Sequence, residues 1–123
     1  MIQRRKALKR VNPKRQARRE AGRDPMRRQC LHDLGCIICL RTTGSWVACA
    51  IHHTRTGMGM GMRNDDAHAI GLCTNHHQTG KRGVAFHAGR RSFEANFGTE
   101  AELLAATNDY FRARGWAWWY SPA

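Results

Sequence analysis

The 123-residue sequence lacks any apolar run near the ~20 residues a membrane-spanning helix requires, and no apolar stretch follows its basic N-terminus as a secretory signal would need. Both absences argue against a membrane or secreted protein and for a cytoplasmic one, where thiols stay reduced. Its five cysteines are therefore expected as metal ligands or buried residues, not as disulfides. Acid is also scarce: nine Asp and Glu face 21 Lys and Arg, for a formal charge of +12. No internal repeat breaks the chain into like units, and its length allows one compact domain. Chains with so little apolar surface often need a metal or a cross-link to hold them.

What is present is unevenly placed. Arg4, Arg5, Lys6, Lys9, Arg10, Lys14, Arg15, Arg18, Arg19, Arg23, Arg27 and Arg28 are opposed only by Glu20 and Asp24, so nearly all the excess charge lies at one end. Like charges with few large apolar residues stay solvated and repel one another. Against a polyanion the same charges release counterions, which points to a nucleic acid as partner. Residues 1–23 are expected as a basic arm, flexible or partly helical, and residues 24–123 as the folded domain.

Within that domain Asp24-Pro25 starts a helix by capping and by a preset φ, and Gly35 ends it. Met26, Cys30 and Leu34 give it one apolar face. Trp46 to Ile51 suits a strand that delivers His52 and His53, and Ala69 to Leu72 suits a second. Between them Gly57, Gly59 and Gly61 alternate with methionines in a loop. Residues from Cys73 to about Thr79 can begin a helix, and Arg90 to Asn96 form another that Gly98 closes. Thr99-Glu100-Ala101-Glu102 reads as a capping box, with Leu103, Leu104, Thr107, Tyr110 and Phe111 along one face of the last helix. Trp116, Trp118, Trp119 and Tyr120 read as a packing flap or a partner contact.

Six of the seven histidines fall between positions 52 and 87. Cys36-x-x-Cys39 and Cys73-x-x-His76 are two knuckles whose two-residue gaps let both side chains of a turn reach one ion. Together they make a closed Cys3His set, which suits structural zinc and leaves no open position for chemistry. Cys30 and Cys49 have no partner at that spacing and are expected in the core. His52, His53, His68, His77 and His87 remain. Of the His52-His53 pair, one can bind a catalytic divalent ion while the other takes a proton from water.

These residues resemble the HNH endonucleases that carry a zinc-stapled ββα-metal core. The shared features are Cys36/Cys39, His52-His53, a middle residue at His68 five before Cys73, and Cys73/His76 followed by His77. His52 through Gly57-Met58-Gly59-Met60-Gly61-Met62-Arg63 to Leu72-Cys73-Thr74-Asn75-His76-His77-Gln78, then Phe86-His87-Ala88-Gly89-Arg90-Arg91-Ser92-Phe93-Glu94 with Phe97-Gly98, is similar to the phage recombination-enhancement (Ref-type) nucleases. The resemblance covers roughly positions 31 to 110. It implies His53 as general base, His52 and His77 as ligands of the catalytic ion (Mg²⁺ or Mn²⁺), and His68 in the Asn-like role of orienting the base or touching the scissile phosphate. His87 would be a phosphate contact, an ion ligand or a support. His68 stands where the commoner pattern has Asn.

Arg55, Arg63, Lys81 and Arg82 are the candidate phosphate contacts of the core, and Asp65 and Asp66 are expected to serve the turn. The expected fold is thus α+β: a small zinc-stapled ββα-metal domain with flanking helices and a disordered basic N-terminal arm. The expected activity is metal-dependent cleavage of DNA, with phage origin and a RecA-type recombinase filament as partner following from the resemblance. The alternative is a non-catalytic zinc module that binds nucleic acid or docks in a recombination complex.

Overall fold

The structure is a computed structural model that describes residues 12–58 and 64–116. Arg63 and the aromatics Trp118, Trp119 and Tyr120 lie outside the described residues, as do Gly59, Met60, Gly61 and Met62 of the glycine–methionine loop.

The basic arm, whose residues 1–11 lie outside the described residues, is partly helical, one of the two forms expected for it. Asn12 accepts from the amides of Lys14 and Arg15, Pro13 takes the first position, and helix α1 runs Pro13–Ala21 with no residue buried. The next helix, α2 (Pro25–Leu34), has the expected ends: the Asp24 side chain accepts from the Arg27 amide, and Gly35 closes it at φ +78°. A side chain at Gly35 would meet the Val47 carbonyl at 2.5 Å, so glycine is required here by packing as well as by backbone angle.

The face that α2 buries differs from the expected one. Arg27, Leu31 and Leu34 point inward while Met26 is 59% exposed. Arg27 enters the core because both terminal guanidinium nitrogens find acceptors there: Nη1 donates to Asn108 Oδ1 at 2.9 Å, Nη2 donates to the Ala69 carbonyl at 2.9 Å, and the group stacks 5.3 Å over the Phe111 ring. One member of the basic run is therefore a core residue.

Helix α3 (Ile37–Thr43) follows at once, starting on Cys36 and ending at Gly44 in the left-handed region. Strand β1 (Ala50–His53) pairs antiparallel with β2 (Ala69–Leu72), with His52 opposite Ile70 and His53 opposite Ala69. The first strand begins later than expected and includes both histidines. Its predicted start turns outward, Trp46 being 61% exposed, and the Val47 carbonyl accepts the Cys36 amide instead of a strand partner. All of β2 is buried. A π-helical turn, Asn75–Thr79, replaces the helix expected after Cys73. A short 3₁₀ turn (Phe86–Ala88) precedes helices α4 (Arg90–Phe97) and α5 (Glu100–Arg114).

The result is an α+β arrangement in which α2, α3 and α5 pack on the two-stranded sheet. Leu31, Ile37, Ile70, Leu72, Phe93, Leu103 and Phe111 form its centre. Leu104 and Tyr110 sit at its margin, and Trp116 packs 6.3 Å from Phe111. No helix among the described residues is long and apolar enough to cross a membrane.

Candidate metal centres

Two clusters of ligand-type side chains lie next to each other. The first joins the start of α3 to the end of β2. Cys36 and Cys39 are one helical turn apart and therefore share a face, while Cys73 leaves β2 and His76 follows it into the π turn. The four ligand atoms lie within 4.8 Å of one another. His76 Nδ1 is 3.6 Å from Cys36 Sγ, 3.6 Å from Cys39 Sγ and 3.1 Å from Cys73 Sγ, and the sulfurs of Cys39 and Cys73 are 3.9 Å apart.

A zinc tetrahedron with Zn–S of ~2.3 Å and Zn–N of ~2.0 Å has S···S edges of roughly 3.8 Å and S···N edges of roughly 3.5 Å. The S···S edge and two of the S···N edges lie within about 0.1 Å of those lengths and the Cys73–His76 edge is shorter at 3.1 Å, so this Cys3His set can hold a structural metal ion. Burial pushes the Cys39 thiol up to about 12, with the neighbouring Cys36 adding to the shift. Thiols so reluctant to ionise become thiolates readily only on a cation. Cys30 and Cys49 stand outside the set, as expected: Cys49 Sγ donates to the Leu31 carbonyl and Cys30 Sγ to the Trp116 carbonyl.

The second cluster is His52, His77 and His87, each with one ring nitrogen within 4.8 Å of the others'. His52 comes from the middle of β1 and is 3% exposed, His77 comes from the π turn, and the exposed His87 comes from the 3₁₀ turn. His77 Nε2 and His87 Nε2 face each other at 3.1 Å, and the three ring centroids are 4.7 to 5.6 Å apart. Nitrogens sharing an ion at ~2.1 Å are separated by roughly 3.0–3.4 Å. Burial, then the neighbouring His52 and His87, drive His77 down to about 4. Two lone pairs at this distance repel unless a proton or a cation lies between them.

Beneath His52 lies Glu100, 1% exposed. His52 Nε2 is 3.0 Å from its Oε2, the Arg55 amide donates to the same carboxylate at 3.1 Å, and Arg90 Nη2 is 3.2 Å from Oε1. Burial raises the Glu100 carboxyl, but the His52, Arg55 and Arg90 contacts outweigh it and hold it below its ordinary value.

The other predicted residues are placed separately. His53 alternates to the far side of β1, where its Nε2 lies 2.7 Å from Asp66 Oδ1. Asp66 Oδ2 accepts the Asp24 amide at 2.7 Å and faces Arg28 Nε at 3.4 Å. His68 is half exposed and pairs with Asp65 at 2.9 Å, outside the three-histidine group. Arg55, Lys81 and Arg82 are all exposed, Arg82 Nε donating to Ser92 Oγ at 3.3 Å.

Sequence reasoning did not assign Glu100 or Asp66 to the site. A signal existed for Glu100, which lies three, seven and eleven residues before Leu103, Thr107 and Phe111 and so shares the buried face of α5. An acid on an apolar stripe needs a partner. Asp66 had no such signal, because its partners are distant in sequence. Comparisons of the chain with family models, with curated proteins and with solved structures find no match.

Proposed function

We propose that this protein is a metal-dependent DNA nuclease of the HNH type, in which the Cys3His cluster is a zinc staple and His52, His77 and His87 hold a second, reactive ion. One observation carries this reading: His76 and His77, adjacent in the π turn, face two different ligand clusters. A closed four-ligand set beside an open three-nitrogen set is the division expected between a structural and a hydrolytic metal. The antiparallel β1–β2 pair followed by the turn at 75–79 agrees with a ββα-metal core whose helical element is reduced to one turn.

In this reading the ion supplies Lewis-acid stabilisation to a phosphodiester and its leaving oxygen. Three imidazoles favour Mn²⁺ or Zn²⁺ over Mg²⁺, which prefers oxygen ligands. His53 ends β1, and where the strand gives way to the following loop both histidines can border one cleft. With the sequence resemblance, that makes His53 the proposed general base, although its ring leaves the strand on the side away from the histidine cluster. Asp66 accepts its Nε2–H and holds the ring, so that Nδ1 carries the lone pair that takes the water proton. His87, left open by the sequence, becomes the third ligand, and His68 supports the loop through Asp65. Arg55, Lys81 and Arg82, with the exposed cations of α1, contact phosphates, and Arg63 is proposed with them from the sequence alone. Kinship with the phage Ref-type nucleases, and use of a RecA-type recombinase filament, belong to the same proposal and rest on the sequence resemblance.

The test is plasmid cleavage by the zinc-loaded protein with Mn²⁺, with Mg²⁺ and with EDTA, each with and without a RecA-type filament. Removing a general base costs about 10²–10⁴-fold. His53→Ala should lose activity on that scale while binding both ions, and His77→Ala should lose the second ion. A wild type that binds DNA but cleaves under none of these conditions would leave the non-catalytic zinc module as the answer.

A further inference from the structure

We propose that Glu100 is a positioning residue of the histidine centre: its buried carboxylate fixes the tautomer of His52 and ties Arg55 and Arg90 to the same point. The inference rests on the metal centre proposed above and assigns a role to a residue that touches neither ion nor substrate.

The carboxylate is not explained by the helix it begins. The N-terminus of α5 is capped by Thr99, whose Oγ1 accepts the Glu102 amide at 3.2 Å. Among the described residues the partners of Glu100 lie elsewhere: His52 on β1, the Arg55 amide and Thr56 hydroxyl just beyond it, and Arg90 on α4. A carboxylate removed from water is strongly disfavoured unless such partners compensate it. An apolar residue would continue the stripe of Leu103, Thr107 and Phe111 without that cost.

The arrangement has a chemical consequence. A neutral imidazole donates from one nitrogen and accepts at the other. With Nε2 bonded to Glu100, the proton sits there and Nδ1 keeps its lone pair for the ion. A carboxylate behind a ligating imidazole also raises its basicity and locks its rotation. The same two oxygens hold the Arg55 backbone and the Arg90 guanidinium, whose Nε also binds Glu94 at 2.7 Å. Arg90 lies 5.9 Å over Phe86, the residue before His87. One buried group thereby sets the relative placement of a metal ligand, the Arg55 backbone and the Arg90 guanidinium.

A double-mutant cycle tests this in the full-length, zinc-loaded chain, with Mn²⁺ affinity measured by chelator competition for wild type, Glu100→Gln, His52→Ala and the double variant. Loss of such a supporting carboxylate weakens metal binding about 10–100-fold. The expected result is that loss for Glu100→Gln in the wild-type background and under about threefold in the His52→Ala background, since the effect runs through His52. Equal losses in both backgrounds, or none in either, overturn the proposal while leaving the metal centre intact. A wild type that takes up zinc alone overturns the centre itself. A second measurement needs no variant: ¹⁵N shifts of His52 in the zinc-loaded protein should show Nε2 protonated, and a proton on Nδ1 would reject the assignment even if Glu100→Gln fails to fold.

Discussion

Two His-His pairs anchor this molecule, one in a strand and one in a turn, and the backbone separates them differently. In β1, the pleat sends successive side chains to opposite faces. His52 reaches the three-histidine cluster and Glu100, while His53 reaches Asp66 on the other side. In the π turn, successive residues rotate by roughly 80–100°. His76 and His77 diverge only partly, so they enter clusters that are neighbours. The strand pair connects the histidine centre to a separate carboxylate network, and the turn pair couples two metal-type clusters through one peptide bond. A shift in the turn must disturb both clusters, whereas each strand histidine has its own buried acid to hold it.

The sharpest way to break this comparison is to remove the two turn histidines one at a time. His76→Ala deletes a ligand of the Cys3His set. Apparent structural-zinc binding energies are about 10–16 kcal/mol, as large as or larger than the ~5–15 kcal/mol stability of a whole small domain. That variant should lose most of its affinity for zinc and unfold under conditions where wild type is folded, as read by zinc stoichiometry and circular dichroism. His77→Ala should keep one zinc and a cooperative thermal transition while losing the proposed second ion and the DNA cleavage proposed to depend on it. If both variants unfold, the two clusters form one structural unit. If both stay folded with zinc bound, the closed site is not a staple.

How much of this was legible in the sequence depends on the range of the contacts. Both ends of α2, the β2 strand, α4 and the start of α5 followed from local chemistry: Asp24-Pro25, Gly35, Gly98 and Thr99 act within a turn of where they stand. The Cys3His set was legible too, because each half lies inside one short turn and only the pairing of the halves is long-range. What escaped was set by tertiary contacts. Arg27 reads as one more cation of the basic run until Asn108, Ala69 and Phe111 come round to meet it. The start of β1 was misplaced because Val47 bonds to Cys36, an interaction no periodicity encodes. His87 could not be told apart as ligand or support because its partner, His77, comes close only after the 80–86 segment has folded back.

The strand pair yields a smaller test, through pH. On the His53 side, burial raises the Asp66 carboxyl, but the Asp24 amide, His53 and Arg28 outweigh it and hold it below its ordinary value. A carboxyl depressed in the folded state stabilises the fold above its unfolded pKa of about 3.9. That contribution fades as pH falls through the lower folded pKa, because the unfolded chain then binds the proton first. Asp66→Asn removes the titration but keeps one oxygen for the Asp24 amide, so it should cost about 1–2 kcal/mol at neutral pH. The difference from wild type should shrink below pH ~4 as the wild-type carboxyl becomes neutral as well. Denaturant melts of both proteins from pH 7 down to 3 measure it. Curves that stay parallel would mean that Asp66 contributes shape and not charge. His53 would then be held by packing, and the contrast between a strand pair with its own acids and a turn pair without them would reduce to Glu100 alone.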